Sequence, residues 1–394
     1  MGATGANSSG AAALCRVHLH RAWDRAPAPL LRPGLAPTPF QTASFLSAWH
    51  GALGGKAGHT PLILEVQDLK TARPVMLWPL VAVAVRGLRE IRFADACVSD
   101  NNAPLCEPGW LHATDGQFPG TWAHITRALP PADLIRLEKM PGMLGPSANP
   151  ILTLRGAERS RLHSNEIGLG DDFDAYFGTL PSKFLKNQRR LWRVFERAGG
   201  THFRLARDVD DALEMLSALS TLQAQRMSER GCDYVLDEPE YVAFYQELLR
   251  LGVPSGEAVI GALYTGEEPV AVMLGVNGPE KVTFLRIANR MGEWAPCSLG
   301  RLVMEKMFRA VHAQGVRRID MSIGDCRYKD EFGLKREPLY ELLWPLTWRG
   351  RAYCAARKAA QAWRQSKTRK AISWWRKAQT ADENAHTGHD APGP

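Results

Sequence analysis

Paired cysteines are missing from this sequence. Its seven cysteines, Cys15, Cys97, Cys106, Cys232, Cys297, Cys326 and Cys354, lie far apart with no CxxC. That argues against a disulfide framework and a structural zinc site, so no metal is expected and a reducing cytosol fits best. Long apolar runs are missing too: the longest, 75–85, is too short to span a bilayer and contains Pro79. The first residues lack a basic n-region and an apolar core, and Ala6 stands where a myristoylation signal needs Ser or Thr. The expected location is cytoplasmic.

A uniform basic surface is also lacking, although the formal charge is +8. Of 49 basic and 41 acidic residues, ten basic and no acidic ones fall between Arg349 and Lys377, leaving 39 against 41 elsewhere. The body is near neutral, which removes specific nucleic-acid binding as the leading function. What remains is an ordinary folded composition, 45% hydrophobic and 23% charged over 394 residues, enough for two cores.

Residues 1–38, rich in Ala, Gly and Pro, are expected to form a mobile or loosely attached leader. A first lobe over 39–155 opens with a helix at 42–51 and continues with strands at 60–67, 75–85, 92–96 and 134–137. A polar loop, Ser99-Asp100-Asn101-Asn102-Ala103-Pro104, precedes the last of these, and the Pro/Gly-rich 140–155 reads as a boundary. A second lobe over 170–347 begins with two helices, the second over 182–199. Leu185, Leu191, Trp192 and Phe195 follow its helical period, and Lys186, Arg189, Arg190, Arg193 and Arg197 occupy other faces. A strand at 201–206 and two further helices, opening near Asp208 and at Glu238-Pro239, follow. Strands at 258–264 and 269–276 flank a hairpin signal, Gly266-Glu267-Glu268. Next come a strand at 281–287, a helix at 299–314 stopped by Gly315, a strand at 316–321, a polar turn at 322–329 and a closing strand at 340–346.

Ser298-Leu299-Gly300 before a helix, then Gly315, a strand ending in Asp320, and Gly324-Asp325-Cys326-Arg327-Tyr328-Lys329 follow in order. This series resembles the BioF-like/CelD-like acetyltransferases of the GNAT superfamily, relatives of the Fem-type peptidyltransferases. The resemblance covers about 170–346; Leu299 stands where the family commonly has proline. It implies an α/β fold of tandem GNAT-like (acyl-CoA N-acyltransferase) lobes, with mixed central sheets flanked by helices. It further implies an acyltransferase that uses acetyl-CoA on a small-molecule, glycan or peptide acceptor, with a link to polysaccharide or cell-envelope synthesis. Fem-like transfer from aminoacyl-tRNA and a non-catalytic envelope-binding protein are the alternatives.

The cofactor residues implied are Ser298, Leu299, Gly300 and Arg301. A helix start offers free N–H groups and a positive dipole end to a pyrophosphate, whereas the plainer role for Ser298 is a helix cap. Asp325, as orienting group or base, Tyr328, protonating the thiolate, and Lys329, holding an anion, are the catalytic candidates; an Asx-type turn is the alternative for Asp325. Lys186, Asn187 and Arg190 would grip an acidic acceptor or simply form a solvated face. Asp100 and Asn101 would line the cleft between lobes or serve turn chemistry. Cys297 is expected to be buried and inert. A helix over 349–377, basic and containing tryptophan, suits peripheral contact with the anionic inner face of a membrane, docking on the first lobe, or nonspecific nucleic-acid attraction. Residues 380–394 are expected to be disordered.

Overall fold

The computed structural model describes residues 15–32, 34–113, 116–228, 236, 238–324 and 327–363, with the backbone alone for 113, 327 and 328. The first half contains β1 (Cys15–His20), α1 (Ala43–Ala52), β2 (His59–Asp68), β3 (Pro74–Val85), β4 (Leu88–Phe93) and β5 (Leu105–Cys106). It continues with α2 (Pro108–Ala113), α3 (Phe118–Ala128), β6 (Leu134–Pro141), the short pair β7 (Met143–Leu144) and β8 (Ser147–Ala148), and β9 (Ala157–Gly168). The second half opens with α4 (Phe173–Gly178), α5 (Ser182–Glu196), β10 (Thr201–Leu205), α6 (Val209–Ser228) and α7 (Pro239–Ser255). Then come β11 (Ala258–Thr265), β12 (Glu268–Asn277), β13 (Val282–Asn289), α8 (Leu299–Ala313), β14 (Arg318–Asp320), α9 (Arg327–Asp330) and β15 (Lys335–Pro345). A helix over 348–363, α10, ends the described chain.

Among the described residues, thirteen strands join one mixed sheet in the order β1-β2-β3-β4-β6-β15-β9-β14-β13-β12-β11-β10, with β5 on β3. Each half repeats one plan: three antiparallel strands, a helix, and a strand returning parallel to the third. In the first half β4 and β6 are the parallel pair; in the second, β13 and β14. The halves exchange their last strands: β9 pairs with β14 and β15 with β6, while β9 and β15 pair with each other. The backbone ladder therefore crosses the seam three times.

Local sequence explains the better-defined elements. In α8, Leu299, Leu302, Val303, Phe308 and Val311 are buried at helical spacing, and Gly315 follows at φ +95°, a conformation that favours glycine. The β11–β12 turn places Gly266 at φ +56° between Thr265 and Glu268, which pair directly. One core cluster spans both halves, packing Phe45 and Trp49 of α1 with Phe244 and Leu248 of α7; the Phe45 and Phe244 rings lie 5.3 Å apart, edge to face.

Several expectations are corrected. Residues 15–38 are not a loose leader: β1 pairs with β2 over six residues, and Leu30 is fully buried. The strand expected at 92–96 ends at Phe93, because Ala96 and Cys97 take left-handed φ values of 47° and 64°, which a strand does not admit. The polar turn expected at 322–329 gives way at Arg327 to the short α9. Residues 1–14 and 364–394, with part of the basic segment and the tail at 380–394, lie outside the described residues, as do Asp325 and the Tyr328 side chain.

Candidate active site

β13 and β14 run side by side only at Val282–Thr283 and Ile319–Asp320. Beyond this β13 continues to Asn289 while β14 stops at Asp320. The parallel strands part, leaving one edge of β13 open over its last six residues. A bulge lies in that stretch: Leu274 pairs with Arg286 and Gly275 with Phe284, so Leu285 is the extra residue. Bulges re-aim side chains and backbone groups beside functional sites.

α8 starts where β13's open edge ends, after a 3-10 turn over Gly292–Cys297. Ser298 enters it in the left-handed region (φ 49°, ψ 53°), and its hydroxyl makes no capping hydrogen bond. The side-chain cap that stood as the alternative role for Ser298 is therefore not made. First-turn N–H groups have no acceptor within a helix, so those of Leu299 and Gly300 face the mouth. A Cβ on Gly300 would meet Asn289 Oδ1 at 3.3 Å. Leu299 turns its side chain into the core, fully buried, and Arg301 pairs with Glu331 at 2.7 Å.

α5 buries Phe184, Gln188, Leu191 and Phe195 on one face. Gln188 Nε2 and Trp192 Nε1 both donate to Glu305 Oε2 of α8, at 2.7 and 2.8 Å. This docking brings the basic edge of α5 to the mouth of α8. Arg190 is exposed, donates to Asn187 Oδ1 at 3.1 Å, and lies close enough for its charge to act on Cys297. Lys186, one turn back on the same edge, is exposed. Burial pushes the Cys297 thiol up, which Arg190 only partly offsets, consistent with an inert cysteine.

The other expected residues meet at the seam. Asp100 accepts a hydrogen bond from the Ser322 hydroxyl. Burial raises the Asp100 carboxyl above its ordinary range, with Ser322 and Lys139 partly offsetting it. Asn101 is buried; its Nδ2 faces Asp320 Oδ2 at 3.4 Å, and its Oδ1 has no hydrogen-bond partner. Asp320, at 0% exposure, also accepts from Ser164 Oγ, Asn165 N (3.2 Å), Ser322 N (2.9 Å) and Lys281 Nζ (3.3 Å). Lys281 pairs with Glu166 as well, and Glu166 with Arg318 at 2.6 Å. A cleft of about 440 Å³ opens here, lined in part by Asn101, Ser164, Glu166, Lys281, Arg318 and Tyr340. Lys329 turns inward, donating to the carbonyls of Ile323 and Gly324 at 3.2 and 3.3 Å. Thus Asp100 and Asn101 join one group, and Ser298, Gly300, Lys186, Asn187 and Arg190 another.

Sequence reasoning missed Ser164, Glu166 and Lys281, whose only signal is polarity within strands. It also missed Arg286. That guanidinium is 4% exposed, held by Gln223 Oε1 at 2.6 and 3.0 Å and stacked 4.7 Å from the Tyr245 ring centre. Among the described residues, no group of three or more His, Cys, Asp or Glu is placed to hold a metal ion.

Residues 182–330 match the acetyltransferase (GNAT) domain family. Residues 182–330 thus form a GNAT-type acyltransferase domain. Among solved structures, FemX is similar at a TM-score of 0.57 and 9% identity, covering 81% of this chain and 94% of its own. L-PGS from Bacillus licheniformis (0.47, 13%, covering 79% and 93%) and a tandem GNAT protein from the clavulanic acid biosynthesis pathway (0.40, 12%, covering 84% and 98%) lie further off. At these identities the FemX likeness establishes fold alone, and the other two carry no argument. No curated protein matches the sequence.

Proposed function

We propose that the chain transfers an acetyl group from acetyl-CoA to an amine or hydroxyl of a polar small-molecule, glycan or peptide acceptor held in the cleft between its halves. The observation that carries this is the parting of β13 from β14 directly beside the open first turn of α8. Free amides and a positive dipole end favour phosphates there, and Lys186 and Arg190 add cations at the same mouth. A Cβ on Gly300 would meet only side-chain atoms, Asn289 Oδ1 at 3.3 Å, so glycine there keeps the first-turn N–H groups uncovered for a donor's phosphates. These residues fit the donor, and the cations first assigned to the acceptor are better assigned to it.

Bound there, acetyl-CoA would supply an acyl group activated as a thioester. On this chain's side, the open edge of β13 offers unpaired backbone groups to the donor's amides. The bulge at Leu285 turns N–H groups toward the reacting centre, where a preorganised donor stabilises developing negative charge. Asp100, held by Ser322 where the two halves meet, is the acceptor's base, its carboxylate made a stronger proton acceptor by burial. Asp325, Tyr328 and Lys329 stay in the proposal as the loop that orients the acceptor and returns a proton to the thiolate.

The test is thiol release from acetyl-CoA over a panel of amino sugars, polyols and short peptides. Turnover with one acceptor, lost in Gly300→Trp, supports the proposal. Turnover only with aminoacyl-tRNA, or acetyl transfer indifferent to Gly300→Trp, overturns it.

A further inference from the structure

α10 is fixed by one face, against β6 of the first half and its neighbour β15. Gly350 N donates to Thr347 Oγ1 at 3.3 Å, capping the helix. Gly350 presses on the bend before β6 so closely that a Cβ would lie 2.0 Å from Asp133 O. Tyr353 stacks under Arg136 of β6, 5.1 Å from its guanidinium, and Arg357 grips Glu341 of β15 at 2.8 and 2.9 Å.

The opposite face is apolar and exposed. At 3.6 residues per turn, Trp348, Ala352, Ala355, Ala359, Ala362 and Trp363 fall within an arc of about 100°, and all six are exposed. Trp348 is 76% and Trp363 58% exposed, and they stand about 22 Å apart along the helix. Arg351 and Lys358, both exposed, border the arc on one side, and Arg349 borders it on the other. The chain continues in the same composition: Arg349 to Lys377 holds ten basic residues and no acidic one, with Trp374 and Trp375 near its end.

We propose that this face seats the protein on an anionic lipid surface. Trp348 and Trp363 enter the headgroup region, and Arg351 and Lys358 pair with lipid phosphates. A straight apolar arc bounded by cations matches a plane that is apolar below and anionic above. A nucleic-acid duplex would use the cations and leave the tryptophans idle, because its non-specific affinity comes from phosphate contacts.

The test is co-sedimentation of the full chain with vesicles of phosphatidylglycerol and phosphatidylcholine, against phosphatidylcholine alone. Binding is expected on the anionic vesicles only, weakening with salt. Trp348→Ala with Trp363→Ala, and separately Arg351→Glu with Lys358→Glu, should each weaken it at least about tenfold. Thermal midpoint and acetyl-CoA binding should stay unchanged, which separates this proposal from the catalytic one. Absence of binding to anionic vesicles overturns it, as does equal binding by the tryptophan variant. So does retention on duplex RNA indifferent to the tryptophans, or a dimer abolished by the tryptophan changes without vesicle binding.

Discussion

Ser322 donates its hydroxyl hydrogen to the carboxylate of Asp100, 222 positions upstream. The contact joins the end of the second half's parallel strand to a first-half loop, so the proposed base is built from both halves. Ser322 is held at φ 67°, a conformation rare for a non-glycine residue and a mark of functional positions when its surroundings enforce it.

Replacing Asp100 with Asn should cut acetyl transfer about 100-fold or more. Stability should move the other way. Burial raises the Asp100 carboxyl, so the folded state holds its proton more tightly than the unfolded chain, and stability falls as pH rises from the ordinary carboxylate value through the raised one. Asp100→Asn should therefore melt higher than wild type at neutral pH, with the gain vanishing toward about pH 3. Thermal melts across that range check it.

Lys281 ties Asp320 and Glu166 together at the seam. Burial alone would pull the Lys281 ammonium down, but Asp320 and Glu166 outweigh it and raise it. Burial pushes Glu166 up, and Lys281 with Arg318 reverses that and holds it below its usual range. The Lys281 contribution is lost as pH rises through its raised pKa, and that of Glu166 as pH falls through its lowered one. Lys281→Met should cost about 3–5 kcal/mol near neutrality by urea unfolding. Adding Asp320→Asn should recover part of that loss, since the two share one network.

Arg286 is a buried cation that, among the described residues, forms no ion pair with a carboxylate. Arg286→Met should be neutral or stabilising, because desolvating the charge is costly and a methionine fills similar space. Gln223→Leu should cost about 3 kcal/mol by leaving that charge without its acceptor. Equal losses in both variants would mean that the guanidinium is worth its burial.

Gly350→Ala should lift α10 from the first half, since the neighbouring Asp133 carbonyl belongs to the backbone and cannot rotate away. The expected cost is about 1–3 kcal/mol, read as a lower thermal midpoint.

The second half was largely legible in the sequence because its elements carry their own signals. The period of α8, the Gly266 turn and the Gly315 stop each depend on neighbouring residues. β9 has no such signal: AERSRLHSNEIG is polar and mostly exposed in its first half, and it is a strand because β14 and β15 flank it. β1 was hidden by the proline-rich stretch that follows it. At the site, Ser298 and Gly300 could be read from their place before a helix, while Asp320 read only as a strand end. Its partners Asn101 and Ser164 lie 219 and 156 residues away, and only the joining of the two halves brings them together.

The central claim is most directly tested by isothermal titration of acetyl-CoA into the full chain and into Gly300→Trp. The account predicts saturable one-site binding by the wild type, weakened about 100-fold or more in the variant with an unchanged melting temperature. Absence of heat at millimolar acetyl-CoA, or equal affinity in both proteins, would contradict it.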